Sequence, residues 1–222
     1  MSNMEAKFNP SLEAFLCLDN SVEVYKTKLD SMYKAAQTHA RITVKSTLFF
    51  PWTIEEIPAR EEFRELHEKI LDLIGKDKIH LKYIIDFRRD RPDKVFGDFT
   101  KILKFVRDII TKDRELLKNG VLEIKILFTD HPDLNIFLID PTDILLIDLS
   151  GEKGILIFSD ILSREADHIF EYFWNRGIAL ISRSEPWIHK DTFKKALDQV
   201  EIEADKKQSL IKEIDSLLKI IS

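Results

Sequence analysis

The sequence predicts an α/β protein: a mixed β-sheet flanked by helices on both faces, with helical extensions at its N and C termini. Three observations carry this reading. The run from residue 121 to 150, VLEIKILFTDHPDLNIFLIDPTDILLIDLS, holds three apolar segments broken only by two turn-like tetrads. Upstream of it, apolar residues at helical period alternate with short strand-like runs. At both ends of the chain, the apolar spacing is purely helical.

The three central segments are strands over residues 121–128, 134–139 and 144–149. Ile, Leu, Val and Phe dominate them. Asp130-His131-Pro132-Asp133 and Asp140-Pro141-Thr142-Asp143 separate them, and Pro and Asp favour turn dihedrals. Strands this apolar need cover on both faces. Along strand 136–139, Ile136 and Leu138 should face one side and Phe137 and Ile139 the other, since strand side chains alternate.

The rest of the chain is read in order. Residues 10–18 make a short helix after Pro10. Val22, Tyr25, Leu29, Met32, Tyr33 and Ala36 make 21–38 an amphipathic helix. Residues 41–50 are a strand ended by Pro51-Trp52. Phe63, Leu66, Ile70, Leu73 and Ile74 mark a helix closed by Gly75. Residues 78–87 form a strand, and a basic loop, Arg88 to Lys94, comes after it. Phe99 to Ile110 carry a helix that runs to Lys118 and stops at Asn119-Gly120. After the central strands come a turn at 151–154, a strand at 155–158, a helix from Asp160 to Arg176 and a short strand at 178–181. Beyond Pro186 the chain turns charged and ends in a helix with Leu210, Ile211, Ile214, Leu217, Leu218 and Ile221 along one stripe. That stripe must be covered, by the N-terminal helix face or by another subunit. The chain thus divides into an N-terminal helical segment (1–38), an α/β domain (39–185) and a C-terminal helical extension (186–222).

Composition narrows the function classes. Hydrophobic residues at 44% and charged residues at 33% allow both a large core and a solvated surface. A net charge of -5 argues against bulk nucleic-acid binding. The single cysteine, Cys17, excludes an intrachain disulfide and reads as a small buried hydrophobe. No apolar run approaches the roughly 20 residues that span a bilayer, and the first residues lack a signal-peptide layout. A cytoplasmic protein without membrane contact is expected. The histidines show no metal-ligand spacing, no glycine-rich phosphate loop is present, and no cofactor is expected.

Several residues are candidates for binding. Arg88, Arg89, Arg91 and Lys94 come directly after a strand, where ligands of open α/β sheets bind. Guanidinium forks suit phosphate or carboxylate. The competing reading is a loop whose charges pair with Asp90 and Asp93. Asp160, Glu165, Asp167 and His168 cluster on one helix and read as a solvated face. Phe49, Phe50 and Trp52 read as core packing.

The order of elements over roughly residues 22–182 resembles one half of the phospholipase D superfamily fold. In that family a strand leads into the motif H-x-K-x-x-x-x-D. Here Gly120 to Phe128 leads into Asp133-Leu134-Asn135-Ile136-Phe137-Leu138-Ile139-Asp140. Setting Asp140 on the motif aspartate places Asn135 at the lysine and Asp133 at the histidine. The resemblance implies a half-domain in which the nucleophile and the phosphate-binding cation are both replaced. Asp133 would repel a phosphate, and Asn135 brings no charge. His131, two residues upstream of the motif histidine position and within the turn Asp130-His131-Pro132-Asp133, is the alternative nucleophile, set against a reading as a plain turn histidine.

The resemblance and its departures together predict a non-catalytic binding or regulatory module. Because the family pairs two halves, a homodimer is expected, with a phosphate-containing ligand or a protein as further partner. Two alternatives stand beside it. One is a phosphodiesterase or nuclease with a rearranged site around His131 and the Arg88 loop. The other is an interaction module that uses the C-terminal helix.

Overall fold

Among the described residues, short apolar strands gather into one eight-stranded sheet. In the computed structural model, which describes residues 14–47, 61–87, 92–128, 136–148 and 153–221, the order is β1 (Ala14–Leu18), α1 (Ser21–Thr38), β2 (Ile42–Ser46), α2 (Glu61–Gly75), β3 (Ile79–Asp86), α3 (Pro92–Lys112), α4 (Glu115–Lys118), β4 (Leu122–Leu127), β5 (Ile136–Asp140), β6 (Ile144–Asp148), β7 (Gly154–Phe158), α5 (Asp160–Trp174), β8 (Ile178–Ile181), α6 (Lys190–Asp198) and α7 (Ala204–Ile221). Across the sheet the strands run β1-β7-β6-β5-β2-β3-β4-β8. β2, β3 and β4 are parallel, and every other pairing is antiparallel. The mixed sheet with helices on both faces is therefore as expected.

The two faces are unequal. Phe137 and Ile139 enter a large apolar core to which α1, α2, α3, α6 and α7 contribute. Ile136 and Leu138 join a smaller cluster with Leu145, Ile157 and the α5 residues Ala166, Phe170 and Trp174. These four β5 residues are buried, on alternating sides. Helix α5 crosses this second face on its way from β7 to β8, which lies at one edge of the sheet.

Two helices end by the same device with different residues. At α4, Gly120 has φ 74°, its N–H donates to Leu117 O, and Val121 N–H donates to Leu116 O. This is the Schellman pattern. At α2 the left-handed residue is not Gly75 but Asp77, with φ 57°; its N–H donates to Ile74 O, and Lys78 N–H donates to Leu73 O. Gly75 is still helical. Asp tolerates this conformation better than most residues, and its carboxylate pairs with Arg41 and His80.

Further expectations need correction. Ala14–Leu18 is a strand, not a helix: its five residues pair antiparallel with β7. A five-residue apolar run carries no period that separates strand from helix; the open edge of β7 decides it. Cys17 is consequently exposed rather than buried. The segment read as a loop through Lys94 is already helix from Pro92. Proline suits the first helical position because its missing N–H has no intrahelical partner there. Asp93 adds a favourable charge in the first turn. The helix expected to run on to Lys118 ends at Lys112, and Asp113 opens the short α4 by accepting from Glu115 N–H through its carboxylate.

The C-terminal stripe is covered within the chain. Leu210, Ile214, Leu217 and Ile221 are buried, and α7 packs on α3 and α6 rather than on the N-terminal helix. Arg107 of α3 pairs with Glu213, and Lys190 of α6 with Asp215. Among the described residues no helix is long and apolar enough to cross a membrane.

Candidate functional site: an acidic cavity between the β5–β6 turn and α5

The chain turns from β5 to β6 through Pro141, Thr142 and Asp143, after a cis Asp140-Pro141 bond. Thr142 organises the turn: its N–H and hydroxyl both donate to Ile139 O, at 2.8 and 2.5 Å. The same hydroxyl accepts from Ile144 N–H. The turn is tied to α5, because Ser159 N–H donates to Asp143 O at 3.1 Å. Ser159 is in turn the N-cap of α5, its hydroxyl accepting from Leu162 N–H. Turn and helix start are thus one hydrogen-bonded unit.

Between them lies a cavity of about 240 Å³. Leu138, Ile139, Asp140, Pro141, Thr142 and Asp143 line it from the sheet, and Asp160, Ser163, Arg164 and Asp167 from the helix. The helix spacing i, i+3, i+4, i+7 puts these four side chains on one face. Four carboxylates therefore border one cavity. Arg164 pairs with Asp160, and Lys45 reaches Asp167 at 2.5 Å and Glu171 at 3.0 Å. Among the described residues no cation pairs with Asp140 or Asp143.

Lys45 stays charged although only 8% of its side chain is exposed. Burial pulls its ammonium pKa down. Hydrogen bonds to Asp167 and Glu171 push it up, and together with the nearby charge they win, so its pKa lies above the ordinary value. Ser163 is the opposite case. It is 8% exposed, and its Oγ has no hydrogen-bond partner.

Next to this site the second face carries more lysines. Lys82 is the register partner of Lys45, and Lys125 lies one strand further. Their Nζ atoms lie 5.2 and 4.7 Å from the centre of the Trp174 ring, and Lys125 donates to Trp174 O at 2.8 Å. Burial first, and Lys82 after it, pull the Lys125 pKa down against the opposing pull of Glu123 and Glu171.

Of the residues singled out from sequence, Arg88, Arg89, Arg91, His131, Asp133 and Asn135 lie outside the described residues, as do Phe49, Phe50 and Trp52. Lys94 is exposed in the first turn of α3. Asp140 is the one motif position described, and it lines the cavity. It sits beside Thr43, at the start of β2, whereas Phe87 and Phe128 meet at the other end of the parallel strands with ring centres 4.9 Å apart. At about 3.3 Å per residue, Asp140 and Ile136 are separated by the length of β5. The cluster read as a solvated helix face divides: Asp160 and Asp167 border the cavity, while Glu165 and His168 are exposed. Asp143, Ser163 and Lys45 belong to no motif that the sequence displays. The i, i+3, i+4, i+7 polar spacing on α5 was the available signal; Lys45 alternates with Ile42 and Val44 and shares its strand face with Thr43, so nothing local marks it as buried. Among the described residues no three His, Cys, Asp or Glu side chains converge to hold a metal ion.

No known family model matches the chain, and no curated protein matches it. Among solved structures, an archaeal chromatin protein, TrmBL2, described as showing a novel mode of DNA binding, aligns over 81% of this chain with a TM-score of 0.43 and 13% identity. This chain covers 57% of the length of that protein.

Proposed function

We propose that this chain is a non-catalytic binding or regulatory module, and that its ligand site is the cavity between the β5–β6 turn and α5. One observation supports this above the others. The cavity gathers Asp140, Asp143, Asp160 and Asp167, and the hydroxyl of its lining residue Ser163 is buried with no base in contact. A serine becomes a nucleophile when an adjacent base takes its proton, and Ser163 Oγ has no such neighbour. The arrangement suits holding a ligand by charge and hydrogen bonds. The likeness to a phospholipase D half, the homodimer and a cytoplasmic location belong to the same proposal. In it, Asp133 and Asn135 stand where the family's chemistry requires histidine and lysine.

Two measurements test the module. Bis-p-nitrophenyl phosphate should not be turned over above a buffer blank; turnover that is lost in His131→Ala would overturn the non-catalytic reading in favour of a rearranged phosphodiesterase site. A charge-balanced fragment set should shift the amide resonances of Thr142, Asp143, Ser163 and Asp167 in the intact chain. Shifts confined to other regions would remove this cavity as the ligand site.

A further inference from the structure

We propose that the homodimer forms through the outer face of α5, with the helix of one copy lying antiparallel on the same helix of a second copy. The inference rests on the homodimer of the proposed reading and adds its contact surface.

Helix α5 is apolar on two sides. Ser163, Ala166, Phe170 and Trp174 are buried toward the sheet. Among the described residues, α5 is the only helix that contributes to the smaller cluster. Its outer side is uncovered: Ile161, Leu162, Ile169 and Tyr172 are 60%, 37%, 43% and 52% exposed. At 3.6 residues per turn these four lie within one arc of about 100°, away from the buried residues. Four of the eight large hydrophobic side chains exposed among the described residues sit on this one helix, so the exposure is a patch and not a scatter. A helix that is apolar on both sides needs cover on both.

The residues between the apolar ones say what covers it. Ile161, Glu165, His168 and Tyr172 follow a 4-3-4 spacing, the seam by which helices pack side by side. A twofold axis between residues 166 and 167, perpendicular to the helix, lays a second α5 antiparallel on the first. The seam is then self-complementary. Ile161 of one copy meets Tyr172 of the other, and Glu165 meets His168, each pair occurring twice. Both Glu165 and His168 are exposed, and an imidazole N–H donates to a carboxylate. Leu162 and Ile169 widen the seam along one flank. Arg176 lies over the Tyr172 ring, with Cζ 3.4 Å from its centre, and fixes the orientation of the ring. A parallel pairing would set Glu165 against Glu165, and like charges brought together across an interface cost affinity.

Length sets the strength. Fifteen residues make a helix about 22 Å long, which places the contact at the small end of specific interfaces. A dimer of micromolar strength is expected, not an obligate one.

The test is light scattering on the intact chain and four variants. The parent should pass from the mass of one chain to that of two across the micromolar range. Ile161→Lys, at an exposed position, should stay folded by circular dichroism and weaken the dimer by about a hundredfold or more, because the change enters a twofold contact twice. Glu165→His sets imidazole against imidazole, and His168→Glu sets carboxylate against carboxylate. Each should weaken the dimer about tenfold. The two changes together place a carboxylate opposite an imidazole again and should bring the affinity back to within about threefold of the parent. A general loss of helix stability produces no such rescue.

A dimer unaltered in Ile161→Lys would overturn the α5 contact and leave the homodimer on another surface. Two folded single variants that the double change does not rescue would overturn the antiparallel seam. A parent that stays monomeric throughout the range would overturn the contact and the homodimer together, and would leave the stripe to a different protein or to a segment of this chain outside the described residues.

Discussion

The two faces of the sheet use the same strands for different ends. On the larger face, several helices cover an apolar core into which alternate strand residues point. On the other, α5 covers a smaller cluster. The strands there carry Lys45, Lys82, Glu123 and Lys125 beside Ile84, Leu138 and Leu145. Because strand side chains alternate, one residue of register separates an apolar core, in which Lys28 of α1 is buried with its Nζ 5.8 Å from the centre of the Phe137 ring, from a face on which the strands themselves carry several charges. The larger face supplies cohesion. The α5 face supplies polarity and a cavity, which are features that binding needs.

Neighbouring residues on β5 give the strongest test of this contrast. Phe137 is 2% exposed in the large core, and Leu138 is 3% exposed on the cavity side. Phe137→Ala should cost about 3–5 kcal/mol. Leu138→Ala should fall near the lower end of its class, about 2 kcal/mol, because the space it vacates opens onto an existing cavity that water can enter. Urea denaturation midpoints measure both. Equal losses would mean that the two faces are equally tightly packed.

Much of this contrast was legible in the sequence. The alternation in Ile136-Phe137-Leu138-Ile139 and the stripe along α3 were enough to place the strands and the main helix, because burial repeats with the period of the element. Ala14–Leu18 was not legible, since five apolar residues fit either period and only the free edge of β7 decides. The site was less legible still. Asp160 and Asp167 look like any solvated helix charges until the β5–β6 turn is folded against them. Lys45 gains its partners from a helix more than a hundred residues away in sequence. Contacts of that kind are set by topology, not by local pattern.

A smaller effect is expected at Lys45. Lys45→Ala removes a buried cation and leaves Asp167 and Glu171, whose side chains are 38% and 35% exposed and can regain water. The loss should therefore lie below that of a fully buried pair, at about 1–3 kcal/mol. A variant as stable as the parent would show that burial of Lys45 is already offset without its partners.

The smallest effect, and the finest discrimination, concerns Lys125. Burial and Lys82 hold its pKa below the ordinary value of 10.5, whereas Lys45 on the same face is held above it. Lys125→Met keeps the stem against Trp174 and removes the penalised charge, so the change at neutral pH should stay within about 1 kcal/mol. The two lysines then respond to alkali with opposite sign. As pH rises through the lowered folded value of Lys125, the folded state gives up a proton that the unfolded state keeps. Stability is gained between that value and 10.5, and the parent should improve relative to Lys125→Met. For Lys45 the contribution is complete below 10.5 and is lost as pH rises through its raised folded value, so the parent should lose its advantage over Lys45→Ala only there. Denaturation midpoints for the parent and the two variants across the alkaline range read both trends. If the two differences move in the same direction, Lys45 and Lys125 share one environment, and the division of the α5 face into a paired cation and a penalised one is lost.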